Sequence, residues 1–296
     1  MTAVEERLHP SPGPPGKDSA RRPKKAVAAD DGVILQVRGL RKVYEVEDEK
    51  VVALGKISLQ IKKGEICCIL GTSGSGKSTL LNIMAGLEKP TRGHVIIAGR
   101  EVTAMSEKEL AVFRRQNIGF IFQSYNLMPQ DTALENVAMP LVFKGVPKKE
   151  REARAKKMLA RVGLKGRMKH RPSQMSGGQQ QRVGIARAFI SQPPVVFADE
   201  PTGNLDSHTT TEVMEMIVRM ARRYHETLII VTHDGDIARY ADRIVRLVDG
   251  AIVSDTENVS VVPREEPETV EQPTQTQSKR KKPLADSKQG QNQTKG

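Results

Sequence analysis

Tryptophan is absent from the 296 residues, aromatic side chains make up 3%, and only two cysteines occur. So few rings leave no base-stacking platform for single-stranded nucleic acid, and no nucleic-acid partner is expected. Cys67 and Cys68 are adjacent and have no metal-ligand spacing. As neighbours in one apparent strand they should point to opposite faces, as two small core residues. Also missing is any run approaching the roughly 18 apolar residues that span a bilayer. The N-terminus lacks the apolar core of a secretory signal. The strongest apolar runs, Ile66–Leu70, 194–198 and Thr227–Thr232, have the length of buried strands. These absences predict a soluble or peripheral, intracellular protein.

What is present is unevenly distributed. Residues 1–30 are rich in Pro, Gly and charge, and 255–296 turn to Glu, Pro, Thr, Gln and Lys. Neither end holds enough apolar surface to offset its ordering entropy, so both are expected to be disordered tails. Residues 31–254 remain as one α/β domain with a substantial core. Of the net charge of +12, the two tails contribute +2 and 0, leaving +10 between them. Within that part, 144–171 holds twelve Lys/Arg against Glu150 and Glu152, with Ala155, Met158, Leu159 and Val162 at helical spacing. A solvated helix face explains this segment, and so does a face near anionic lipid or an acidic partner. The basic cluster 279–282 is expected to have no role. His94, His170, His208 and His225 read as ordinary surface or loop residues.

The run Gly71, Thr72, Ser73, Gly74, Ser75, Gly76, Lys77, Ser78, Thr79 matches G-x-x-x-x-G-K-[ST]. A strand-like run precedes it and a helical pattern follows, which is the context this motif requires. Glycines let backbone N–H groups turn inward around a β-phosphate, and the helix aims its positive end at the same anion. Lys77 reaches the β- and γ-phosphates, and the Ser78 hydroxyl is a Mg²⁺ ligand. A second apolar run, from Val195, ends in Asp199 and Glu200. Unalternating strands suit a parallel sheet covered by helices, whose ligand crevice lies at the carboxyl ends of the strands. There Asp199 can hold Mg²⁺ through water and Glu200 can polarise an attacking water. A third run, Thr227–Thr232, delivers His233 as a candidate γ-phosphate sensor.

Between these motifs stands Met175-Ser-Gly-Gly-Gln-Gln-Gln-Arg182, followed by a helical pattern. With it, the chain strongly resembles the ABC-transporter ATPase family over about 33–253. The resemblance implies the phosphate-loop ATPase fold: a mainly parallel sheet flanked by helices, a small antiparallel β region and an inserted helical subdomain at about 124–180. It implies ATP and Mg²⁺ as ligands. Gln123 stands where the family has its Q-loop glutamine, a catalytic and metal-contacting position. Ser176, Gly177, Gly178 and Gln179 form the signature, and Asn204, Leu205 and Asp206 the D-loop. Asp199 takes the magnesium position, Glu200 the catalytic one, and His233 the switch position. Tyr44 stands where the family places an aromatic against adenine. Met175 replaces the commoner Leu, a volume-conserving swap. By the same resemblance the signature closes over nucleotide held by a second copy, so an ATP-dependent homodimer is expected.

The stretch 124–141 and Pro-Thr-Gly-Asn-Leu-Asp-Ser at 201–207 are similar to the subgroup serving macrolide export, lipoprotein release, antimicrobial-peptide resistance and cell division. Such members work with a four-helix membrane subunit, here expected on a separate chain, with Leu127, Met128 and their neighbours contacting it. That places the protein at the cytoplasmic face of the membrane. The alternative is a soluble ABC ATPase of translation or DNA repair. The first normally carries two cassettes per chain. The second carries a coiled-coil or zinc-bearing insertion, for which there is no sign between Lys77 and Ser176.

Overall fold

The computed structural model describes residues 32–263, Asp48 excepted. Two sheets organise them. Strands β1 (Val33–Val46), β2 (Glu49–Lys62), β4 (Arg92–Ile97) and β5 (Arg100–Glu101) form an antiparallel sheet in the order β2-β1-β4-β5. The second sheet has six strands, in the order β10-β9-β3-β8-β7-β6. Here β3 (Ile66–Leu70), β6 (Ile118–Ile121), β7 (Val195–Asp199), β8 (Thr227–Thr232) and β9 (Arg243–Val248) pair in parallel. Only β10 (Ala251–Glu257) runs antiparallel, against β9.

The strand patterns follow from what covers each face. In β2, Ile57, Leu59 and Ile61 are buried at every second position, so one face meets the core and the other meets water. Strand β3 is buried at all five positions. Ile66, Cys68 and Leu70 enter a helical layer, whereas Cys67 and Ile69 enter the layer between the sheets. The two cysteines therefore face opposite ways, as expected, and burial raises both thiols well above their usual pKa.

Helices α1 (Lys77–Met84) and α2 (Glu107–Asn117) fill the space between the sheets through Leu80, Leu81, Ile83, Leu110 and Phe113. On the far face lie α3 (Ala133–Phe143), α4 (Lys148–Arg161), α5 (Gly177–Phe189) and α6 (Ser207–Arg223). Helix α6 buries Val213, Met214, Ile217, Val218 and Ala221, a stripe at helical spacing. Each of the valine, methionine and isoleucine side chains removed from water contributes about 1.5–3 kcal/mol. A short helix, α7 (Gly235–Ala238), follows β8.

Three helices start with a reciprocal capping box: Ser106 with Glu109, Thr132 with Glu135, and Ser176 with Gln179. Each pair satisfies backbone donors that the first helical turn leaves open. The segment 124–180 holds α3, α4 and two short helical turns at Lys165–Arg167 and Pro172–Gln174.

The structure moves one expected boundary. Residues 255–257 do not begin a tail: Asp255 pairs with Val245, Thr256 with Ile244 and Glu257 with Arg243. Beyond them Asn258 donates to Ala241 O (2.7 Å) and Ser260 to Tyr240 O (2.7 Å), and Val262 is buried. These contacts tie the segment after β10 to the turn after α7, and Arg222 of α6 donates to Val262 O (3.3 Å), tertiary hydrogen bonds that a polar, charge-rich sequence does not advertise. The expected tail 1–30, the rest of the expected C-terminal tail from 264, and the cluster 279–282 lie outside the described residues.

Candidate functional site

The phosphate-loop motif leaves the carboxyl end of β3, between β8 and β9. Two of its glycines are required by close approach. A Cβ on Gly71 would lie 2.3 Å from Leu247 O and 2.6 Å from Ser75 Oγ. One on Gly76 (φ 97°) would lie 2.5 Å from Ala53 O. The loop is pinned by Gly71 N donating to Thr232 O (3.2 Å) and Gly250 N donating to Ser75 O (3.0 Å). Ser75 Oγ is buried without a partner. Lys77 is 7% exposed and its Nζ donates to Thr72 O at 2.7 Å, so the ammonium lies across its own loop. Ser78 is exposed on the first turn of α1. Tyr44 stands beside that helix, its hydroxyl 3.5 Å from Thr79 Oγ1. Lys42 Nζ lies 4.8 Å from the Tyr44 ring centroid and pairs with Glu88 at 2.7 Å.

Asp199 and Glu200 follow from β7, next to β8 in the same sheet. Asp199 Oδ1 is buried with no hydrogen-bond partner. Burial, with the Glu200 charge adding to it, pushes the Asp199 carboxyl above its ordinary pKa, while Lys77 pulls it down. An orphaned buried acceptor beside a lysine is the environment a divalent cation and its phosphate would complete. Among the described residues no group of three His, Cys, Asp or Glu side chains could hold a metal by itself.

Glu200 has a left-handed backbone (φ 43°), strained for a non-glycine residue. Its N–H donates to Val231 O at 2.9 Å. Two groups hold its carboxylate: Thr232 Oγ1 donates to Oε2 at 3.1 Å, and His233 Nδ1 lies 2.9 Å from Oε1. With Nδ1–H donated to Glu200, the other ring nitrogen remains for a phosphate. The carboxylate is mostly covered, whereas the His233 side chain is 64% exposed. The structure thus brings Glu200, His233 and the start of the phosphate loop to the carboxyl edge of the parallel sheet, after β7, β8 and β3. Thr232, which sequence reasoning passed over, is one of the two groups holding the candidate glutamate. Its position at the end of a buried strand, one residue before the candidate histidine, was the available signal.

The signature residues sit elsewhere. A cleft of about 460 Å³ is lined by Ser176, Gly177, Gly178, Gln179, Asn204 and Asp206, with α4–α5 and α6 residues completing it. No residue of 71–79 lines it. Ser176 Oγ accepts from Gln179 N (3.3 Å), and Gln179 Oε1 accepts from Ser176 N (3.3 Å). Asp206 caps α6 in the same way, accepting from Thr209 N at 2.9 Å, and these local bonds hold its carboxyl below the usual range. Within one chain, then, Ser176, Gln179 and Asp206 serve their own helix ends. A Cβ on Gly177 or Gly178 would lie 2.8 Å from the Tyr125 hydroxyl or from Thr209 Cγ2, so either side chain would have to shift to admit it.

Gln123 stands between the two regions, exposed after β6. Its backbone carbonyl accepts from Asn204 Nδ2 at 3.0 Å, and its amide side chain lies over Gly203. Tyr125 and Asn126 follow in left-handed conformations. Arg187 of α5 clasps both, donating to Asn126 O (2.5 Å) and Tyr125 O (2.8 Å). Met175 is buried, as a leucine would be. Among the other histidines, His94 pairs with Glu101 (2.8 Å), and His170 meets Arg167 (2.9 Å).

A parallel sheet with a phosphate loop, a carboxylate pair and a histidine at one edge defines a phosphate-loop ATPase of the cassette class. Residues 54–203 match the family model described as ABC transporter. The lipoprotein-releasing system ATP-binding protein LolD of Pseudomonas fluorescens is 45% identical over 221 residues, covering 75% of this chain and 97% of LolD. The macrolide export ATP-binding/permease protein MacB of Vibrio parahaemolyticus is 47% identical over 234 residues, 79% of this chain. The match covers only 36% of that MacB. Among solved structures, the ATP-binding cassette MJ0796 in a dimeric post-hydrolysis state with ADP and Pi superposes with a TM-score of 0.72. It is 41% identical, over 77% of this chain and 100% of that one. The chain belongs to the ABC transporter family.

Proposed function

We propose that this chain is the ATP-binding and ATP-hydrolysing subunit of a transporter complex, acting as a homodimer. Each nucleotide lies between the phosphate loop of one copy and residues 176–179 of the other. The observation that carries this reading is the separation of the two half-sites. Lys77, Asp199, Glu200 and His233 lie at the carboxyl edge of the parallel sheet, while the signature opens on a different cleft with Asp206. A signature helix N-terminus is an anion site, and in a single chain no phosphate-loop residue lines its cleft. The dimeric state of MJ0796 with ADP and Pi supports the same arrangement.

In this reading Lys77 leaves Thr72 O to bind the β- and γ-phosphates, and residues 71–79 cradle the anion with backbone N–H groups. Tyr44 stacks on the base. Ser78, Asp199 and Gln123 would hold Mg²⁺, which neutralises phosphate charge when bound. Glu200, held by Thr232 and His233, orients and polarises the attacking water. His233 meets the γ-phosphate. Coupling runs through a membrane subunit on another chain, against the helical segment 124–180. A groove of about 410 Å³ on α3 and α4, with Leu134, Met139, Val142 and Phe143 among its walls, supports that attachment, as does exposed Met128 nearby. Among the described residues no helix is long and apolar enough to cross a membrane. Location at the cytoplasmic face follows from the partner.

Glu200→Gln removes the general base and leaves Asp199 in place. Light scattering should find this variant dimeric in saturating Mg-ATP and monomeric without it. Ser176→Arg should abolish turnover while monomer affinity for ATP stays the same. A Glu200→Gln chain that remains monomeric, or a large loss of affinity in Ser176→Arg, overturns the shared site.

A further inference from the structure

The segment 144–171 is more one-sided in space than in sequence. Helix α4 turns Ala155, Met158 and Leu159 into the core, and Val162 and Leu164 continue that contact. Its rotation is therefore fixed, and Lys149, Lys156 and Lys157 are exposed on the outer face with Ala153 and Ala160. Lys165, Arg167 and Lys169 extend the exposed basic surface beyond the helix. Both acids of the segment are engaged by its own cations, Glu150 by Arg154 (2.5 Å) and Glu152 by Lys148 (3.9 Å). Among the described residues no salt bridge forms at Lys149, Lys156, Lys157, Lys165 or Lys169. Phe143 (60% exposed) and Val142 (47%) stand just before this surface, at the end of α3.

We propose that the outer face of α4 is a docking surface for anionic lipid headgroups. Three features favour a lipid surface over a folded partner. The cations that face outward are mainly lysines, strongly hydrated point charges suited to a diffuse anionic layer and not to the fork geometry arginine uses for one carboxylate. Ala153, Ala160, Gly163 and Gly166 are exposed among them, and the exposed acid of this face, Glu150, is already paired with Arg154. The apolar stripe of the helix is already used in the core, so attachment is electrostatic and superficial. This surface requires neither ATP nor the membrane subunit.

The test is co-sedimentation of the full chain, without nucleotide, with phosphatidylcholine vesicles with and without phosphatidylglycerol. Wild type should bind only the anionic vesicles, and less as salt shortens the screening length from about 10 Å at 0.1 M to about 3 Å at 1 M. Lys149→Gln, Lys156→Gln and Lys157→Gln together should weaken binding by about a hundredfold, roughly fivefold per lysine charge removed. The three glutamates, which reverse each charge, should weaken it further, in the same direction. ATP hydrolysis should be unchanged in both sets, which shows that they fold. A control with Lys279→Glu, Lys281→Glu and Lys282→Glu should keep most of the binding. The proposal fails if wild type does not bind anionic vesicles, or if the control loses binding while the α4 variants retain it. It fails equally if the α4 variants lose only their hold on a copurifying acidic protein, which would assign the face to that protein.

Discussion

Thr232 touches three parts of the site at once. Its carbonyl accepts from Gly71 N at the root of the phosphate loop, and its hydroxyl donates to Glu200 Oε2. The same hydroxyl accepts from Asp234 N (3.1 Å), shaping the turn that presents His233. It is 2% exposed. We assign it as a positioning residue. Thr232→Val keeps the shape and removes the hydroxyl, leaving a strained glutamate with one fewer donor. A hydrogen bond to a charged group is worth about 1.5–3 kcal/mol, so kcat should fall by about 10- to 100-fold. KM for ATP should stay within about twofold, since uniform binding is untouched. Thr232→Ser, which keeps the hydroxyl, should recover most of kcat. Steady-state ATPase assays decide this: equal losses in Val and Ser, or a rise in KM alone, would rule the role out. Sequence made Glu200 and His233 legible because each follows an apolar strand. It hid Thr232, because a threonine closing a strand is ordinary until its neighbours in space are known.

Among the elements, the parallel strands were the easiest to read. Strands β3, β7 and β8 are buried on both faces, so their sequences are short apolar runs bounded by polar turns. Helix α5 was legible from Ser176 and Gln179, a capping pair before an apolar period. Harder to see was what ties one element to another. The arginine clasp on Tyr125 and Asn126 joins α5 to the segment after β6 across 61 residues. Asn136 in α3 is another such tie. It is fully buried, and its Oδ1 accepts from Met128 N (2.8 Å) while Nδ2 donates to the carbonyls of Met128, Asp131 and Thr132. It therefore pins the loop that exposes Met128 beside the α3–α4 groove. An asparagine inside a helix has no periodicity of its own to mark it. Asn136→Ala strands several backbone groups in a buried place and should cost about 2–3 kcal/mol. Urea unfolding would show this as a lower midpoint with an unchanged slope. A change below about 0.5 kcal/mol would show that the loop is held by other contacts.

At the scale of the whole molecule, the parallel sheet carries its chemistry at the carboxyl end and one conspicuous charge problem at the other. Glu226 precedes β8, is 3% exposed, and neither side-chain oxygen has a hydrogen-bond partner. Burial pushes its carboxyl up to about 9, and the Lys144 charge pulls the other way by less than burial raises it. Lys144 itself is directed to Ser191 O at 3.0 Å. At neutral pH the folded chain keeps this acid protonated, while in the unfolded chain it is ionised, with an ordinary value of 4.5. Folding then takes up a proton. For a raised carboxyl the contribution to stability is fully present below the unfolded value and is lost as pH rises through the folded one. Between about pH 5 and pH 9 that loss approaches, at most, about 1.4 kcal/mol per pH unit. The window lies below the two buried thiols, whose titration is displaced to higher pH. Glu226→Gln keeps the size and polarity and cannot ionise. Urea midpoints measured from mildly acid to mildly alkaline pH should fall steadily in wild type and much less in the variant, so that the variant is the more stable protein at the alkaline end. Parallel pH profiles for the two would mean that Glu226 is ionised in the fold and satisfied by Lys144, and that the alkaline loss arises elsewhere in the chain.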